Sequence, residues 1–466
     1  MIRFGTSGWR AIIGDEFTFE NVRKVTQAIA NHLIRTSPEN LKILIGYDTR
    51  FLSDRFAREA AGVFAGNGFA VGLSDRDAPT PVIAHAIREG GYRGGINFTA
   101  SHNPSVYNGL KFSTADGAPA PPEITGAIEK EICKVSEVRI APPALMDERV
   151  QIVDLRPSYL KKIESMIDVD VLHSSKLRVG YDALYGTSRE YLDHLCLENG
   201  VEVTSIHNYL DPYFGGATPD CKAENLTELK KIVVDKKLDL GLATDGDADR
   251  FGIVDHTGHY VYPNYILAML AFYLTRERKW RMGLGRTVAT THMIDRIADY
   301  FDIPVYETPV GFKYLGEKFI AGEIHFGGEE SAGLSVTGHV PEKDGIIADL
   351  LVAEMVAREG VPLETLLQRL FDQFGPLYSK RIDLELTPQR HAEASNRLQD
   401  VGDHLGDFSI VRRDDTDGLK CYGEDGSWVL FRLSGTEPIV RIYAESEKQS
   451  KVKRLLNLAK SYMEED

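Results

Sequence analysis

The stretch LKILIGYDTR, residues 41–50, reads as a buried apolar strand that ends in polar residues and hands over to a helical pattern. KLRVGYDALYG, residues 176–186, and RTVATTHMID, residues 286–295, have the same form. Three such openings at wide spacing predict three related α/β units with mostly parallel, mixed sheets. The chain has 466 residues, and at roughly 100 to 200 residues per domain it divides into about two to four domains. The first unit is expected to close in the proline-rich, mixed-charge stretch 141–154 (APPALMDERVQIVD), which reads as a linker. After Pro376 the grammar changes. Segments 380–386, 408–413, 419–435 and 439–446 alternate with period two, and 448–466 closes as an amphipathic helix. That order predicts a C-terminal α+β domain with an antiparallel sheet. The expected domains are therefore 1–150, 151–255, 256–372 and 373–466.

An apolar share of 43% with 26% charged residues is an ordinary globular balance. The 54 basic and 69 acidic residues leave a net charge of −15, which argues against nucleic acid or an acidic membrane surface as partner. An anionic small substrate would need locally placed arginines and lysines. The four cysteines form no CxxC pair, so no zinc knuckle or disulfide framework is indicated. Residues 1–17 lack the apolar run of a signal peptide, and the longest apolar run, residues 265–274, is half the roughly 20 residues a membrane span needs. A cytoplasmic protein is expected, as a monomer or weak homo-oligomer with no protein partner indicated.

The most informative local feature is TDGDADRFG, residues 244–252, following a strand-like segment. Alternate residues of an extended chain point the same way, so Asp245, Asp247 and Asp249 can present three carboxylates to one cation. An EF-hand would need Gly where Arg250 stands and Glu where His256 stands, so magnesium is favoured over calcium. Taken alone, the string reads equally as a solvated acidic turn. In NFTASHNPSVYNGLKF, residues 97–112, a short strand runs into Ser101 on a loop of Asn, Pro and Gly, a place for a nucleophile or a phosphorylated serine. No GxSxG elbow surrounds it. In FGGEESAG, residues 326–333, Glu329, Glu330 and Ser331 suit sugar hydroxyls; a helix N-cap is the plainer reading. In FRLSGTEPIVRIY, residues 431–443, Arg432, Ser434, Gly435, Thr436 and Arg441 can form a phosphate cradle, or merely a hairpin turn. The pair Gly283 and Gly285 lacks a third glycine and is read as preceding a strand, so a dinucleotide fold is not indicated.

Taken in order, TASHNP, DGDADR, GEES and SGTEP resemble the four signature segments of the α-D-phosphohexomutases, the family of phosphoglucomutase and phosphomannomutase. The resemblance spans nearly the whole chain, beginning with GTSGWR at Gly5. It implies four domains around a central cleft, binding hexose phosphates with Mg2+ and a glucose 1,6-bisphosphate intermediate or activator. Ser101 is then the phosphate-bearing serine and, with Asp245, Asp247 and Asp249, a metal ligand. Arg10 and Arg250 would lie near the transferring phosphoryl, beside His102 and Lys111. Lys111 is implied as a proton acceptor, on the expectation that burial and neighbouring cations lower its pKa. Gly311 and Lys313 would shape the sugar site, Glu329 and Ser331 would read ring hydroxyls, and Arg432, Ser434, Gly435, Thr436 and Arg441 would hold the non-reacting phosphate. The GEES form is similar to the glucose-preferring branch. Other branches often carry His where Gly333 stands, so a His-assisted proton transfer from that loop is not expected here.

The expected reaction interconverts glucose 1-phosphate and glucose 6-phosphate. Dual glucose/mannose specificity and glucosamine phosphate are the nearest alternatives. From other classes, a magnesium-dependent sugar-phosphate phosphatase and a non-catalytic sugar-phosphate binding protein remain to be separated.

Overall fold

A computed structural model describes residues 2–5, 8–434 and 438–464. The opening stretch forms the strand Lys42–Tyr47, the middle of a six-stranded sheet. Parallel neighbours Ala70–Ser74 and Gly94–Phe98 flank it, Tyr107–Thr114 and then Trp9–Ile12 extend one side antiparallel, and Val150–Val153 closes the other edge in parallel. Ile43 and Ile45 face one core with Ile29, Phe56 and Phe64, while Leu44 faces another with Val82, Ile83 and Ile87. The strand is thus buried on both faces, which is why its apolar run does not alternate.

The second sheet has the order Tyr260–Val261, Phe251–Asp255, Leu240–Thr244, Arg178–Asp182, Glu202–Ile206, with the last three strands parallel. The third has Val305–Thr308, Gly283–Thr287 and Ile324–Glu329 parallel, with Gly333–Val336 antiparallel at the edge. The helix Gly345–Glu359 is buried along most of its length in the core shared by these two domains. Its N-cap Asp344 accepts from the N–H groups of Ile346 and Ile347 and from the hydroxyl of Tyr159.

The last sheet is antiparallel, in the order Tyr378–Glu385, Ile439–Ser446, Trp428–Leu433, Leu419–Tyr422, Arg412–Asp414. One face, through Val429, Phe431, Val440 and Ile442, packs on its own helices Pro388–Gln399 and Gln449–Glu464. The other, through Trp428, Leu430 and Tyr443, packs on Val288, Ala289 and Val310 of the third domain. The architecture is therefore three α/β domains with mixed, mostly parallel sheets and a C-terminal antiparallel domain, as the sequence pattern predicts. Among the described residues no helix is long and apolar enough to cross a membrane.

The boundaries differ in detail. Residues 141–154 are not an open linker: Pro143–Arg149 is helical and Val150–Val153 pairs with Ala70–Ser74, carrying the first domain past 150. The strand Tyr260–Val261 pairs back onto Phe251–Asp255, so the second sheet runs past 255. The helix Leu363–Phe374 spans the cut placed at 372. Gly283 and Gly285 do not precede a strand but lie within Gly283–Thr287, so only the first two residues of RTVATTHMID are extended. Side chains there would strike Tyr306 and Leu315, which is why a glycine-rich segment serves as a core strand.

Candidate functional site

The strand Gly94–Phe98 delivers Ser101 into a tight turn. Its φ is +50°, a left-handed conformation that non-glycine residues rarely take, and its N–H is held by Thr99 Oγ1 at 2.8 Å. Ala248 at +57° and Ala332 at +69° do the same in the acidic and GEES loops. Each costs about 1–2 kcal/mol, and such residues persist only where the surroundings over-determine them.

The scaffold of the Ser101 loop is Arg50, the last residue of the opening stretch. Its guanidinium donates to the carbonyls of Pro104 (2.8 Å), Tyr107 (3.0 Å), Asn103 (2.6 Å) and Ser101. Asp48 pairs with it at 3.1 Å, both side chains fully buried, and Phe214 of the second domain stacks over it at 4.9 Å.

The acidic loop, at the end of the strand Leu240–Thr244, meets this turn across the domain boundary. Ser101 Oγ donates to Asp245 Oδ2 at 2.9 Å, and carboxylate oxygens of Asp245, Asp247 and Asp249 lie within 4.8 Å of one another. All three are buried, and Oδ1 of Asp247 and of Asp249 has no hydrogen-bond partner. Thr80 fixes Asp247 from the first domain through its hydroxyl and its N–H.

Electrostatics divide the trio. Burial, with the charges of Asp249 and Asp247, pushes Asp245 well above the carboxylate range. Burial acts the same way on Asp249, but Lys111, Lys343 and Arg250 outweigh it and hold that carboxyl well below its usual value. Lys111 Nζ donates to Asp247 at 2.6 Å and Asp249 at 3.0 Å. Burial alone would lower the Lys111 pKa; the two aspartates reverse this and raise it, opposite to the sequence expectation. His102 Nδ1 lies 3.3 Å from Ser101 Oγ, and burial with Arg250 and Arg10 keeps its ring neutral. Arg10, donating to Asn103 Oδ1, is pulled below the ordinary arginine value by burial. Arg250 lies 3.9 Å from Asp249 and 3.8 Å from Asp220.

Lys343 escaped the sequence reading. It is 7% exposed, and its Nζ lies 3.1 Å from Asp249 Oδ2, bringing a third-domain cation to the acidic loop. Gly311 and Glu329, expected in two different sugar-site loops, are bonded to one another, N–H to Oε1 at 2.7 Å. Burial raises the Glu329 pKa. Lys313 sits over the Tyr314 ring at 5.0 Å, lowered by burial, and Ser331 lies in the turn after Glu329.

In the last domain Arg432 and Arg441 are directly paired across neighbouring strands and therefore share a face. That face continues the packing of Trp428, Leu430 and Tyr443 on the third domain. Two like charges opposite one another favour an anion between them. Ser434 is buried with its N–H on Ile439 O at 2.9 Å. Gly435 and Thr436, with Thr6 and Ser7 of GTSGWR, lie outside the described residues.

Three carboxylates, two of them with an oxygen that lacks a hydrogen-bond partner, and a hydroxyl form a hard-oxygen donor set that fits magnesium. Comparison with known families matches the chain in order to the phosphoglucomutase/phosphomannomutase alpha/beta/alpha domain I over residues 1–139, domain II over 157–258, domain III over 262–374 and the C-terminal domain over 384–458. A phosphoglucomutase of Komagataeibacter xylinus is 32% identical over 96% of this chain and 88% of its own. A phosphoglucosamine/phosphogalactosamine mutase of Sulfurisphaera tokodaii is 29% identical over 99% of both. A solved structure from Thermus thermophilus, provisionally a phosphomannomutase, superposes with a TM-score of 0.87 at 32% identity, covering 99% of both chains.

Proposed function

The chain belongs to the phosphoglucomutase/phosphomannomutase family of α-D-phosphohexomutases, and from that membership we propose that it interconverts glucose 1-phosphate and glucose 6-phosphate through a phosphoserine at Ser101 and a glucose 1,6-bisphosphate intermediate. As a phosphohexomutase it is an isomerase. The preference for glucose is read from the GEES form of the loop at Glu329. The observation that carries the reaction is the meeting of Ser101 Oγ with Asp245 Oδ2 at 2.9 Å, inside a buried trio of carboxylates.

Ser101, Asp245, Asp247 and Asp249 would hold magnesium, which when bound neutralises charge on the phosphoryl oxygens and activates the group for transfer. Phosphoryl transfer is accelerated mainly by alignment and surrounding positive charge. The Arg50-braced turn supplies the alignment, and Arg10, Arg250, Lys111 and Lys343 the charge. In the first half, a sugar hydroxyl attacks phosphorus, the bond to Ser101 Oγ breaks, and the hydroxyl proton ends on the departing serine oxygen as the sugar bisphosphate forms. After that bisphosphate turns over, Ser101 Oγ attacks its other phosphate, the bond from phosphorus to the sugar oxygen breaks, and the serine proton passes by way of neutral His102 Nδ1 to the released sugar oxygen. Lys111 is protonated between its aspartates, so it serves as a fixed charge. Arg432 and Arg441 grip the phosphate that is not reacting, while Glu329 and Ser331 read the ring. Turnover of the intermediate requires the last domain to swing on the segment at Gly375, whose φ of +79° lies just beyond the helix Leu363–Phe374.

The test is a coupled assay with magnesium and a trace of bisphosphate, comparing glucose, mannose and N-acetylglucosamine 1-phosphates. Glucose 6-phosphate should form faster than inorganic phosphate is released; the reverse would make the protein a phosphatase. Ser101→Ala should abolish turnover while still binding glucose 1-phosphate.

A further inference from the structure

We propose that Asp417 is a positioning residue that couples the phosphate grip of the last domain to the sugar-reading loop of the third. One of its oxygens, Oδ2, accepts from Arg432 Nε at 2.7 Å and from the backbone N–H of Val310 at 2.9 Å. Val310 immediately precedes Gly311, whose own N–H donates to Glu329 Oε1 at 2.7 Å. Three hydrogen bonds, the second and third on consecutive residues, thus join a guanidinium that holds phosphate to a carboxylate that holds ring hydroxyls, across the seam between two domains.

The placement of Asp417 is built into the fold. Gly418, next in the chain, has a φ of +91°, and a Cβ there would fall 2.1 Å from the carbonyl oxygen of Phe431. Only glycine allows that approach, and it sets Asp417 against the residue after Phe431, which is Arg432. Asp417 engages Nε, so the terminal nitrogens of Arg432 remain to fork onto a phosphate. Val310 and Gly311 are consecutive, so a shift of the Val310 N–H displaces the adjoining N–H of Gly311 that Glu329 holds.

The inference rests on the proposed mutase reading. A phosphate drawn onto Arg432 then sets the loop that judges the sugar, so recognition of the ring is strongest when the distal phosphate is seated. A residue that merely offset the charge of Arg432 would act differently: its removal would strengthen phosphate binding and leave sugar discrimination untouched.

The experiment compares wild type, Asp417→Ala and Asp417→Asn. The Ala variant should raise KM for glucose 1-phosphate about tenfold, as expected for loss of a charge-assisted bond, and narrow the ratio of kcat/KM between glucose and mannose 1-phosphates. Asn, which retains an acceptor oxygen, should recover most of that ratio. Arg432→Ala should cost less in the Asp417→Ala background than in wild type. Calorimetric titration with the two sugar phosphates and with inorganic phosphate reads the same discrimination without turnover. An inactive wild type would therefore sink the mutase reading and leave the coupling measurable. An unchanged glucose-to-mannose ratio in Asp417→Ala, or tighter inorganic phosphate with full additivity, would overturn the coupling.

Discussion

A Cβ added at Gly333 would lie 2.3 Å from Cδ of Lys343. The absent side chain of one residue is the channel for the other, whose Nζ ends 3.1 Å from Asp249. Gly333→Ala should therefore expel Lys343 and lower kcat on the order of 10²-fold, the usual cost of removing one preorganised charge-stabilising group. Its melting temperature should fall as well, because Asp249 loses one of its two buried lysine partners. Full turnover in that variant would show that Lys343 is not needed where it stands.

Arg50→Lys keeps the charge but cannot reach four carbonyls and Asp48 at once. Leaving buried carbonyls without their donor should cost about 1–3 kcal/mol and loosen the Ser101 turn. A lower melting temperature and slower phosphorylation of Ser101, followed by mass spectrometry, are expected. Wild-type values of both would remove Arg50 from the site's scaffold.

Magnesium should stabilise the protein by about 2.7 kcal/mol when present at a hundred times its Kd. Protons compete for Asp245, whose pKa burial and the neighbouring aspartates raise, so the rise in melting temperature should be larger at pH 8 than at pH 6. Asp247→Asn should abolish most of it. A shift that survives this substitution would locate the ion elsewhere.

The third-domain core carries a pH-sensitive group. His325 is buried against Thr275, Nε2 to Oγ1 at 2.9 Å, and burial pushes its pKa down to about 4. Between that value and its ordinary 6.5 the unfolded chain binds the proton and the folded one does not. Stability should therefore fall as pH drops through this window, by at most about 3 kcal/mol. Urea titrations of His325→Gln should show a correspondingly flatter dependence over the same range, and an identical slope would contradict it.

Strands and loops were readable because their physics is local. The run 41–50 announces a strand buried on both faces, and alternating aspartates announce a shared cation. Lys343, Thr80 and Asp417 stand in unremarkable local sequence; their roles arise from distant partners, Asp249 ninety-four residues from Lys343, Asp247 at 167 from Thr80 and Val310 at 107 from Asp417, even though Arg432 is only fifteen from Asp417. The glycines of Gly283–Thr287 hid a strand because they make room for Tyr306 and Leu315 instead of supplying apolar bulk. Lys111 stands in a motif that implies a base, yet its protonation is set by aspartates of another domain.

Trp428 is 1% exposed, with the Lys420 ammonium 4.2 Å from its ring and the His292 ring 5.6 Å away. Of the chain's three tryptophans, it alone lies in the packing between the third and last domains. Any swing at Gly375 that parts those domains wets the indole and takes the third-domain His292 ring away from it, while Lys420, on the neighbouring strand of the same sheet, moves with it. Its emission should then move to longer wavelength, so opening and closing during each catalytic cycle carry an intrinsic optical gauge that needs no attached dye.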